Sequence, residues 1–424
     1  MKLFTSVSGT GGDEMESVDV LVVGAGPGGA TTAYHLARHG LDVLLVEKSA
    51  FPREKVCGDG LTPRAVAALM RMGVDVTEPG FERVDGLRIY SRRSTLELRW
   101  PTLTDFPPFG LVRPRGEFDE LLARRAEKAG ARLLERTEAV APVFDDAGWV
   151  AGATLRGEDD VERTVRARFV VASDGAASRF AVPAGVRRVE GRPIGIAARR
   201  YYRIERHPGP WLESWLDLWD GDAQMPGYGW LFPVADGTIN LGAGLLDTFR
   251  GFSGVSARGV FDAFVRMLPP EWGISEETAV GPTLSGPLPT SLNRSPTAVP
   301  GLLLVGDAAG AVNPWNGEGI AYAMETGEIA ADLLHEAVTT DRPALAHAYP
   351  TRLREAYGRY YFLGRQFVRL IGEPRIMRFL TDYGLPQAWL MRFALRVMGN
   401  LTDGPKGDLQ DKLIYALERL APTK

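Results

Sequence analysis

A glycine-rich turn near the N-terminus constrains the fold of this chain more than any other feature. Residues 18–23 form a short apolar run, typical of a buried parallel strand, and the turn Gly24-Ala25-Gly26-Pro27-Gly28-Gly29 follows directly. A stretch with apolar residues near helical spacing comes next, and residues 41–46 resume a strand pattern that ends at Glu47. Strand, turn, helix and strand within about 30 residues make one βαβ unit. The sequence therefore predicts a dinucleotide-binding α/β fold.

The three glycines at the fingerprint positions of this turn have different predicted roles. Gly24 allows the tight turn, Gly26 lets the backbone approach a pyrophosphate, and Gly29 lets the helix pack closely against the strand. The helix N-terminus then offers N–H groups and the positive end of its dipole to the phosphates. Glu47 lies 18 residues after Gly29, where a carboxylate accepts hydrogen bonds from ribose hydroxyls. A solvated charge at the end of a strand is the other interpretation of Glu47.

Two later segments carry the predicted site further along the chain. Residues 170–172 are apolar and precede Ser173-Asp174-Gly175, and residues 302–305 are apolar and precede Gly306-Asp307. In each, an Asp and a Gly end a strand at the edge where dinucleotides bind, although such pairs also occur in simple turns. FAD is longer than NAD and lies extended, so three contact points in this order favour FAD, with Asp307 accepting a ribityl hydroxyl. The predicted contacts from the two later segments are Asp174, Gly306, Asp307, Gly317 and Gly319.

The rest of the chain changes character along its length. Apolar alternation appears between about residues 80 and 110, Trp, Tyr and Gly become frequent over 186–285, and a helical pattern begins near 345. We predict an α/β protein with a Rossmann-like FAD-binding domain, an inserted antiparallel β-sheet substrate domain and a helical C-terminal region. The predicted parts are a mobile tail at 1–17, a discontinuous FAD-binding domain at 18–80, 105–185 and 286–340, a substrate-binding sheet domain at 81–104 and 186–285, and a C-terminal helical region at 341–424.

Composition excludes several classes of protein. The formal net charge of −4 leaves no basic excess for binding nucleic acid. The single cysteine, Cys57, rules out an intrachain disulfide and a cysteine-rich zinc site, and we predict no metal centre. The first 17 residues lack the apolar core of a signal peptide, and no apolar run approaches the roughly 18 residues needed to span a bilayer. We expect a cytoplasmic protein.

The three cofactor segments together resemble the flavoprotein class that includes p-hydroxybenzoate hydroxylase. In that class, the segments bind the ADP half, bridge the pyrophosphate and bind the ribityl chain, in that order. The resemblance extends to Arg115 in Arg115-Gly116-Glu117-Phe118-Asp119, where the class places an arginine near the FAD. A charge at the start of a helix is the other interpretation of Arg115.

Two further segments narrow the resemblance to one family. Residues 55–64, Lys-Val-Cys-Gly-Asp-Gly-Leu-Thr-Pro-Arg, and residues 226–233, Pro-Gly-Tyr-Gly-Trp-Leu-Phe-Pro, resemble the geranylgeranyl reductase family, which hydrogenates isolated double bonds of isoprenoid chains. Within that family, the first segment is closest to the actinobacterial menaquinone reductases, and residues 394–401 are also similar. The resemblance covers about residues 18–402.

The family resemblance assigns roles to four side chains. It implies that Cys57, Tyr228, Trp230 and Phe232 line the flavin and substrate cavity, with Cys57 and Tyr228 as catalytic candidates and Trp230 and Phe232 as substrate-binding ones. A small buried cysteine and a core aromatic strand are the ordinary alternatives. Flavin-dependent halogenases carry Trp-x-Trp-x-Ile-Pro in the comparable place, and Tyr228 and Phe232 depart from that pattern.

The resemblance implies an FAD-dependent oxidoreductase that saturates isolated C=C bonds of a prenyl chain, either a geranylgeranyl group or a menaquinone side chain. Such a bond has no carbonyl to accept charge, so its reduction needs hydride from reduced flavin and a proton on the other carbon. The proton source is Cys57, Tyr228 or water, and the electron donor is NADPH, NADH or a ferredoxin. A flavin-dependent monooxygenase, acting as an epoxidase or hydroxylase on an isoprenoid or polyketide, shares every FAD motif and is the alternative.

The C-terminal segment indicates whether the protein could bind such a substrate at a membrane surface. Arg352–Arg396 holds nine Arg against three acidic residues, interleaved with large apolar side chains. A basic amphipathic helix can lie on an anionic membrane, whereas helices packed on the FAD-binding domain with Arg at the surface are the alternative. We expect a hydrophobic prenylated substrate, no nucleic acid and peripheral association with the inner face of the membrane, and the sequence leaves the oligomeric state open.

Overall fold

The computed structural model describes residues 17–92, 94–205 and 208–423. The predicted tail at 1–17 lies outside the described residues except for Ser17, which begins the first strand. The strands are β1 Ser17–Val23, β2 Val43–Val46, β3 Gly60–Leu61, β4 Glu82–Val84, β5 Gly86–Tyr90, β6 Thr95–Arg99, β7 Gly110–Val112, β8 Arg132–Leu134, β9 Glu138–Phe144, β10 Val150–Arg156, β11 Glu162–Ala172, β12 Arg187–Arg188, β13 Ile194–Arg203, β14 Trp211–Trp215, β15 Leu218–Asp220, β16 Ala223–Met225, β17 Tyr228–Pro233, β18 Thr238–Leu246, β19 Ala279–Pro289, β20 Arg294–Ser295, β21 Ala298–Val299 and β22 Leu302–Leu304. The α-helices are α1 Pro27–Arg38, α2 Pro63–Arg71, α3 Arg115–Ala129, α4 Ala257–Met267, α5 Ile320–Thr339, α6 Tyr349–Leu353, α7 Arg359–Ile371, α8 Pro374–Phe379, α9 Ala388–Gly399 and α10 Leu409–Leu420.

The first large sheet has a parallel core in the order β22-β11-β1-β2-β8. Its central strands are almost continuously apolar and fully buried, as expected for parallel strands covered on both faces. Helix α1 packs against both α3 and α5. Strands β9 and β10 extend β11 as an antiparallel pair. These segments confirm the predicted Rossmann-like domain.

The second large sheet has the order β19-β13-β18-β17-β14-β5-β6. All its pairings are antiparallel except that of β5 with β14, which is parallel. Strands β5 and β14 can run parallel because a long stretch of chain joins them, whereas strands joined by a hairpin must be antiparallel. Alternate residues of β17 and β18, including Leu231, Leu241 and Ala243, pack with Val260 and Phe264 of α4 in a separate apolar core. The other face of these two strands is turned away from that core.

The C-terminal helices rest on a third, smaller core. Leu385, Leu395 and Leu401 pack there with Trp100 and with Val84 of β4. Strand β4 belongs to a three-stranded sheet with β3 and β7, while β5 and β6 join the second large sheet. None of the helices in the described ranges has the length and apolarity that crossing a bilayer requires.

Candidate functional site

The three cofactor segments predicted from the sequence converge at one edge of the parallel sheet. β1 lies between β2 and β11, so the chain leaves β1 towards β2 on one side while β11 borders it on the other. Ligands bind outside the carboxyl ends of the strands where the strand order reverses in this way. Gly24 follows β1, Ser173 follows β11, and Gly306 lies two residues beyond β22.

The glycines of the first turn are constrained to different degrees. Gly24 has a φ of +94°, and a Cβ there would lie 2.5 Å from the carbonyl oxygen of Ser173. A Cβ on Gly29 would lie 1.9 Å from the carbonyl oxygen of Gly24, so only glycine allows the helix so close to the strand. A Cβ on Gly26 would meet nothing nearer than the Arg53 side chain, at 3.7 Å. Gly26 therefore faces an open cradle, and no described side chain caps the N-terminus of α1.

Glu47 lies one residue past β2, is almost fully buried and points back at the glycine turn. Its carboxylate accepts hydrogen bonds from the N–H of Ala25 at 3.1 Å and of Ser49 at 3.2 Å. Arg53 Nη2 donates to the same carboxylate at 3.2 Å, and Arg53 Nη1 pairs with Asp119 at 2.8 Å. The fold thus holds Glu47 beside the turn through Arg53, a residue that the sequence did not single out.

Arg115 begins α3 and borders the same cradle. Its guanidinium donates two hydrogen bonds to Asp119, at 2.6 and 2.7 Å. Burial lowers the pKa of Arg115, but the Asp119 carboxylate outweighs burial and leaves the pKa above its ordinary value. A Cβ on Gly26 would lie 3.9 Å from Arg115 Nη2. Arg53 and Arg115 therefore present two guanidinium groups where the pyrophosphate is expected.

The second cofactor segment contributes a partly unsatisfied carboxylate. Asp174 Oδ2 accepts hydrogen bonds from the N–H of Arg179 and of Phe180. Its Oδ1 is buried and has no hydrogen-bond partner among the described residues. Gly175 has a φ of +83°, and a Cβ there would lie 3.3 Å from Lys55 Nζ. Asp174 Oδ1 thus keeps an unfilled acceptor site, with the Lys55 cation near the same turn.

The third cofactor segment connects the parallel sheet with α5. The N–H of Gly306 donates to Thr326 Oγ1 at 3.0 Å, which fixes the turn after β22. Burial raises the pKa of Asp307, and the positive charges of Lys55 and Arg115 oppose that rise. A Cβ on Gly319 would lie 3.4 Å from Asp307 Oδ1, and no described side chain caps the N-terminus of α5. Asp307 therefore lies beside an uncapped helix N-terminus, within electrostatic reach of Lys55 and Arg115.

The aromatic residues of β17 share one face of the second sheet. Tyr228 pairs with Gly244, Trp230 with Gly242, and Phe232 with Asn240 on β18. A Cβ on Gly242 would lie 2.1 Å from the Trp230 ring, so that ring lies directly over the neighbouring strand. The face opposite the α4 core is therefore an aromatic surface with small residues beneath it.

The cysteine segment packs against this aromatic surface. A Cβ on Gly58 would lie 3.2 Å from Trp230 Nε1, and a Cβ on Gly60 would lie 3.1 Å from Phe232. Both glycines therefore leave room for two aromatic rings of β17, which reach them across the boundary between the sheets.

Cys57 and Tyr228 interact electrostatically, and burial favours the protonated form of each. Burial raises the pKa of Cys57, against the opposing effect of the Arg115 charge. Burial, together with the nearby Cys57, raises the pKa of Tyr228 to about 12. A Cβ on Gly317 would lie 2.9 Å from the Tyr228 hydroxyl. The third cofactor segment, the aromatic surface and the cysteine segment therefore meet at one place.

Comparison with known proteins identifies the family. An FAD binding domain model matches residues 17–198. Menaquinone reductase from Mycolicibacterium smegmatis is 37% identical to this chain over 391 residues, which cover 92% of this chain and 93% of that protein. The chain belongs to the geranylgeranyl reductase family. It is an FAD-dependent oxidoreductase, as the sequence motifs predicted.

Other members of the geranylgeranyl reductase family support the same assignment. Digeranylgeranylglycerophospholipid reductase from Thermoplasma volcanium is 32% identical over 351 residues, 81% of this chain and 85% of that protein. The crystal structure of a geranylgeranyl bacteriochlorophyll reductase-like protein from Thermoplasma acidophilum superimposes with a TM-score of 0.75 at 27% identity, over 91% of this chain and 99% of that one. The myxobacterial chondrochloren halogenase shares the fold alone, with a TM-score of 0.69 at 23% identity over 96% of each chain.

Sequence reasoning missed a buried polar group behind the cysteine segment of this reductase family member. Asp59 has a φ of +66° and is fully buried. Its Oδ1 accepts from the N–H of Arg115, and its Oδ2 accepts from the Tyr201 hydroxyl and from Asn240 Nδ2. Burial raises the pKa of Asp59 to about 6, although the hydrogen bonds from Tyr201 and Asn240 oppose the rise. The only signal was the Asp between two glycines in the Cys-Gly-Asp-Gly segment.

Proposed function

We propose that this protein uses FAD to hydrogenate an isolated C=C bond of a prenyl chain, as in a geranylgeranyl group or a menaquinone side chain. The observation that carries the proposal is the meeting of Cys57 and Tyr228 with an aromatic surface at the cofactor edge of the parallel sheet. The names of the family members quoted above, which refer to menaquinone and to geranylgeranyl lipids, support the substrate class.

The proposed cofactor contacts fit an extended dinucleotide. Gly26 faces an open cradle with Arg53 and Arg115, Asp174 Oδ1 is buried without a partner among the described residues, and neither α1 nor α5 has a side-chain cap at its N-terminus. Such N-termini suit phosphates and polar ring edges. When bound, and after reduction by NADPH, NADH or a ferredoxin, FAD would supply the hydride. The residues proposed to hold it are Gly24, Gly26, Gly29, Glu47, Arg115, Asp174, Gly306, Asp307, Gly317 and Gly319.

The protein itself would supply apolar burial and a proton. Trp230 and Phe232 would bind the prenyl chain through apolar contact, worth about 25 cal/mol per Å² removed from water. One alkene carbon would receive the hydride and the other a proton from Cys57, Tyr228 or water, and a side chain that donates would regain its proton from solvent. Both groups have pKa values above their ordinary range, so both carry that proton at neutral pH.

The product mass tests this proposal against the monooxygenase alternative. We expect turnover under argon with a prenylated substrate to give a product about two mass units heavier. A product about 16 mass units heavier, formed only in air, would instead assign the protein to the monooxygenases. The test is needed because halogenases share the fold, so the fold itself does not select the reaction.

The C-terminal helices carry the proposed contact with a membrane. Most of the large apolar side chains that are exposed in the described part of the chain lie between Leu370 and Leu420. Those of α10 repeat every three or four residues on one helix face, at Leu409, Leu413, Leu417 and Leu420. Gln410 Nε2 donates to the carbonyl of Trp389, another exposed residue, which joins this stripe to α9.

The exposed charge of the same helices is mainly basic. The exposed basic residues after Gly372 are Arg375, Arg378, Arg392, Lys406, Lys412 and Arg419. The acidic residues of this region are buried or half-buried except Asp408, which accepts a hydrogen bond from Arg396. Each basic residue contributes about 1 kcal/mol next to an anionic lipid surface. This arrangement favours peripheral binding to anionic membranes.

Co-sedimentation with vesicles tests the membrane proposal. We expect binding to vesicles that contain an anionic lipid, weaker binding to neutral ones, and a several-fold loss for Trp389→Ala combined with Leu409→Ser. The control is Met70→Ser, which removes an exposed apolar side chain outside this region. Equal sedimentation with anionic and neutral vesicles would contradict the proposal.

A further inference from the structure

Asn240 occupies an unusual position on the aromatic side of the second sheet. It lies on β18, two residues before Gly242 and four before Gly244, and shares their face. The two glycines leave space for rings, whereas Asn240 is fully buried and adds a polar group. A buried amide is stable only where its hydrogen-bonding groups are satisfied.

The Asn240 amide makes three hydrogen bonds, one to β17 and two to the cysteine segment. Its Oδ1 accepts from Trp230 Nε1 at 3.0 Å. Its Nδ2 donates to the carbonyl oxygen of Cys57 at 2.8 Å and to Asp59 Oδ2 at 2.7 Å. The orientation of the amide is determined because an indole N–H only donates, while a carbonyl oxygen and a carboxylate only accept. A flipped amide would lose all three bonds.

These contacts reach the thiol through one further step. The N–H of Asp59 donates to Cys57 Sγ at 3.3 Å, and Asp59 Oδ1 accepts from the backbone N–H of Arg115. The backbone that follows the Cys57 side chain is therefore held at two points, the Cys57 carbonyl and Asp59. Asn240 hydrogen-bonds to the Cys57 carbonyl, to Asp59 and to the Trp230 ring that faces them.

We propose that Asn240 is a positioning residue, which holds the Cys57 thiol and the Trp230 ring in one fixed arrangement for proton delivery. This inference rests on the function proposed above, because it assigns no chemistry to Asn240 itself. A displacement of about 1 Å at a reacting group can lower the rate of the chemical step about 100-fold. Loss of the amide should therefore lower kcat much more than it changes KM.

Alkylation of the thiol tests the positioning role without the reaction. Cys57 is the only cysteine in the chain, so iodoacetamide labelling followed by mass spectrometry reports on it alone. In the FAD-loaded protein we expect Asn240→Ala to raise the labelling rate at neutral pH about tenfold and to shift its pH profile. FAD content should stay at the wild-type level, and kcat for a prenyl substrate should fall between about tenfold and 100-fold.

Two further variants make the experiment decisive. Trp230→Phe keeps an aromatic ring but removes the indole donor, and should change labelling in the same direction by a smaller factor, non-additively with Asn240→Ala. Asn293→Ala, at a buried asparagine outside this group, is the matched control and should leave labelling unchanged. Wild-type labelling and pH profile in Asn240→Ala would overturn the inference whatever the reaction is. If labelling changes in Asn240→Ala but the wild-type protein reduces no prenyl substrate, only the proposed function is refuted.

Discussion

The cofactor half of the site, at the dinucleotide turn, and the substrate half, on the aromatic face of β17 and β18, contain glycine for different physical reasons. In the dinucleotide turn, Gly24 and Gly29 are required because backbone meets backbone, with 1.9 Å between a Cβ on Gly29 and a carbonyl oxygen. In the second sheet, Gly242 and Gly244 are required because aromatic side chains of β17 lie on them. A backbone contact cannot relax, whereas a ring can turn. The cofactor half is therefore the more rigidly specified, and the substrate half is the more adaptable.

The largest expected effect comes from filling the backbone contact. Gly29→Ala should destabilise the fold by about 3 kcal/mol or more and abolish FAD retention, because neither Gly24 nor the start of α1 can move away. Thermal unfolding and the flavin absorbance of the purified protein measure both. Gly254→Ala is the control, since a Cβ there would meet nothing within 4 Å. Equal flavin content in the two variants would show that the backbone contact at Gly29 does not control FAD retention.

The next effect separates catalysis from cofactor binding. Cys57→Ala should slow the chemical step about 10²–10⁴-fold, the usual worth of general acid catalysis, with FAD content unchanged. Cys57→Ser should fall between Ala and the wild type, because a hydroxyl keeps a proton but at a higher pKa. Rapid mixing of pre-reduced enzyme with a prenyl substrate measures the step. A wild-type rate in Cys57→Ala would leave Tyr228 or water as the donor.

A third effect is the pH dependence of the free energy of unfolding, which should come from Asp59 at the boundary of the two halves. The pKa of Asp59 is raised to about 6 from its ordinary value of 3.8, so between these two values the folded protein holds a proton that the unfolded chain releases. The free energy of unfolding should therefore fall by up to about 3 kcal/mol as the pH rises from 4 to 6. Denaturant titrations measure it, and Asp59→Asn should lack this component. An identical pH dependence in both proteins would show that Asp59 does not retain the proton.

The smallest effect tests the adaptable half. Gly242→Ala places a methyl group against the Trp230 ring, which can tilt by giving up its hydrogen bond to Asn240, so the protein should lose only about 1–2 kcal/mol of stability and keep its FAD. Turnover of a prenyl substrate should fall about tenfold because the ring leaves its place. Complete loss of flavin, as expected for Gly29→Ala, would show that both halves are equally rigid.

The difference between the halves also explains what the sequence could predict. The glycine turn, Glu47 and the two Asp-Gly strand ends are local patterns, and the structure places them at one sheet edge. The hydrogen-bond donors to the Asp59 carboxylate are 56 to 181 residues away along the chain, and no local spacing relates them. The contacts of Gly58 and Gly60 could not be predicted for the same reason, since the rings that they accommodate come from another sheet.

The most direct test of the central claim is a single turnover under argon. Geranylgeraniol is the better substrate here, because it carries a prenyl chain without a quinone ring that could itself accept electrons. The FAD-loaded protein is reduced chemically and mixed with it, and flavin absorbance and product mass are followed together. We predict that the flavin reoxidises and that one product about two mass units heavier forms per FAD. A flavin that stays reduced until air is admitted, with a product about 16 mass units heavier, would contradict the account.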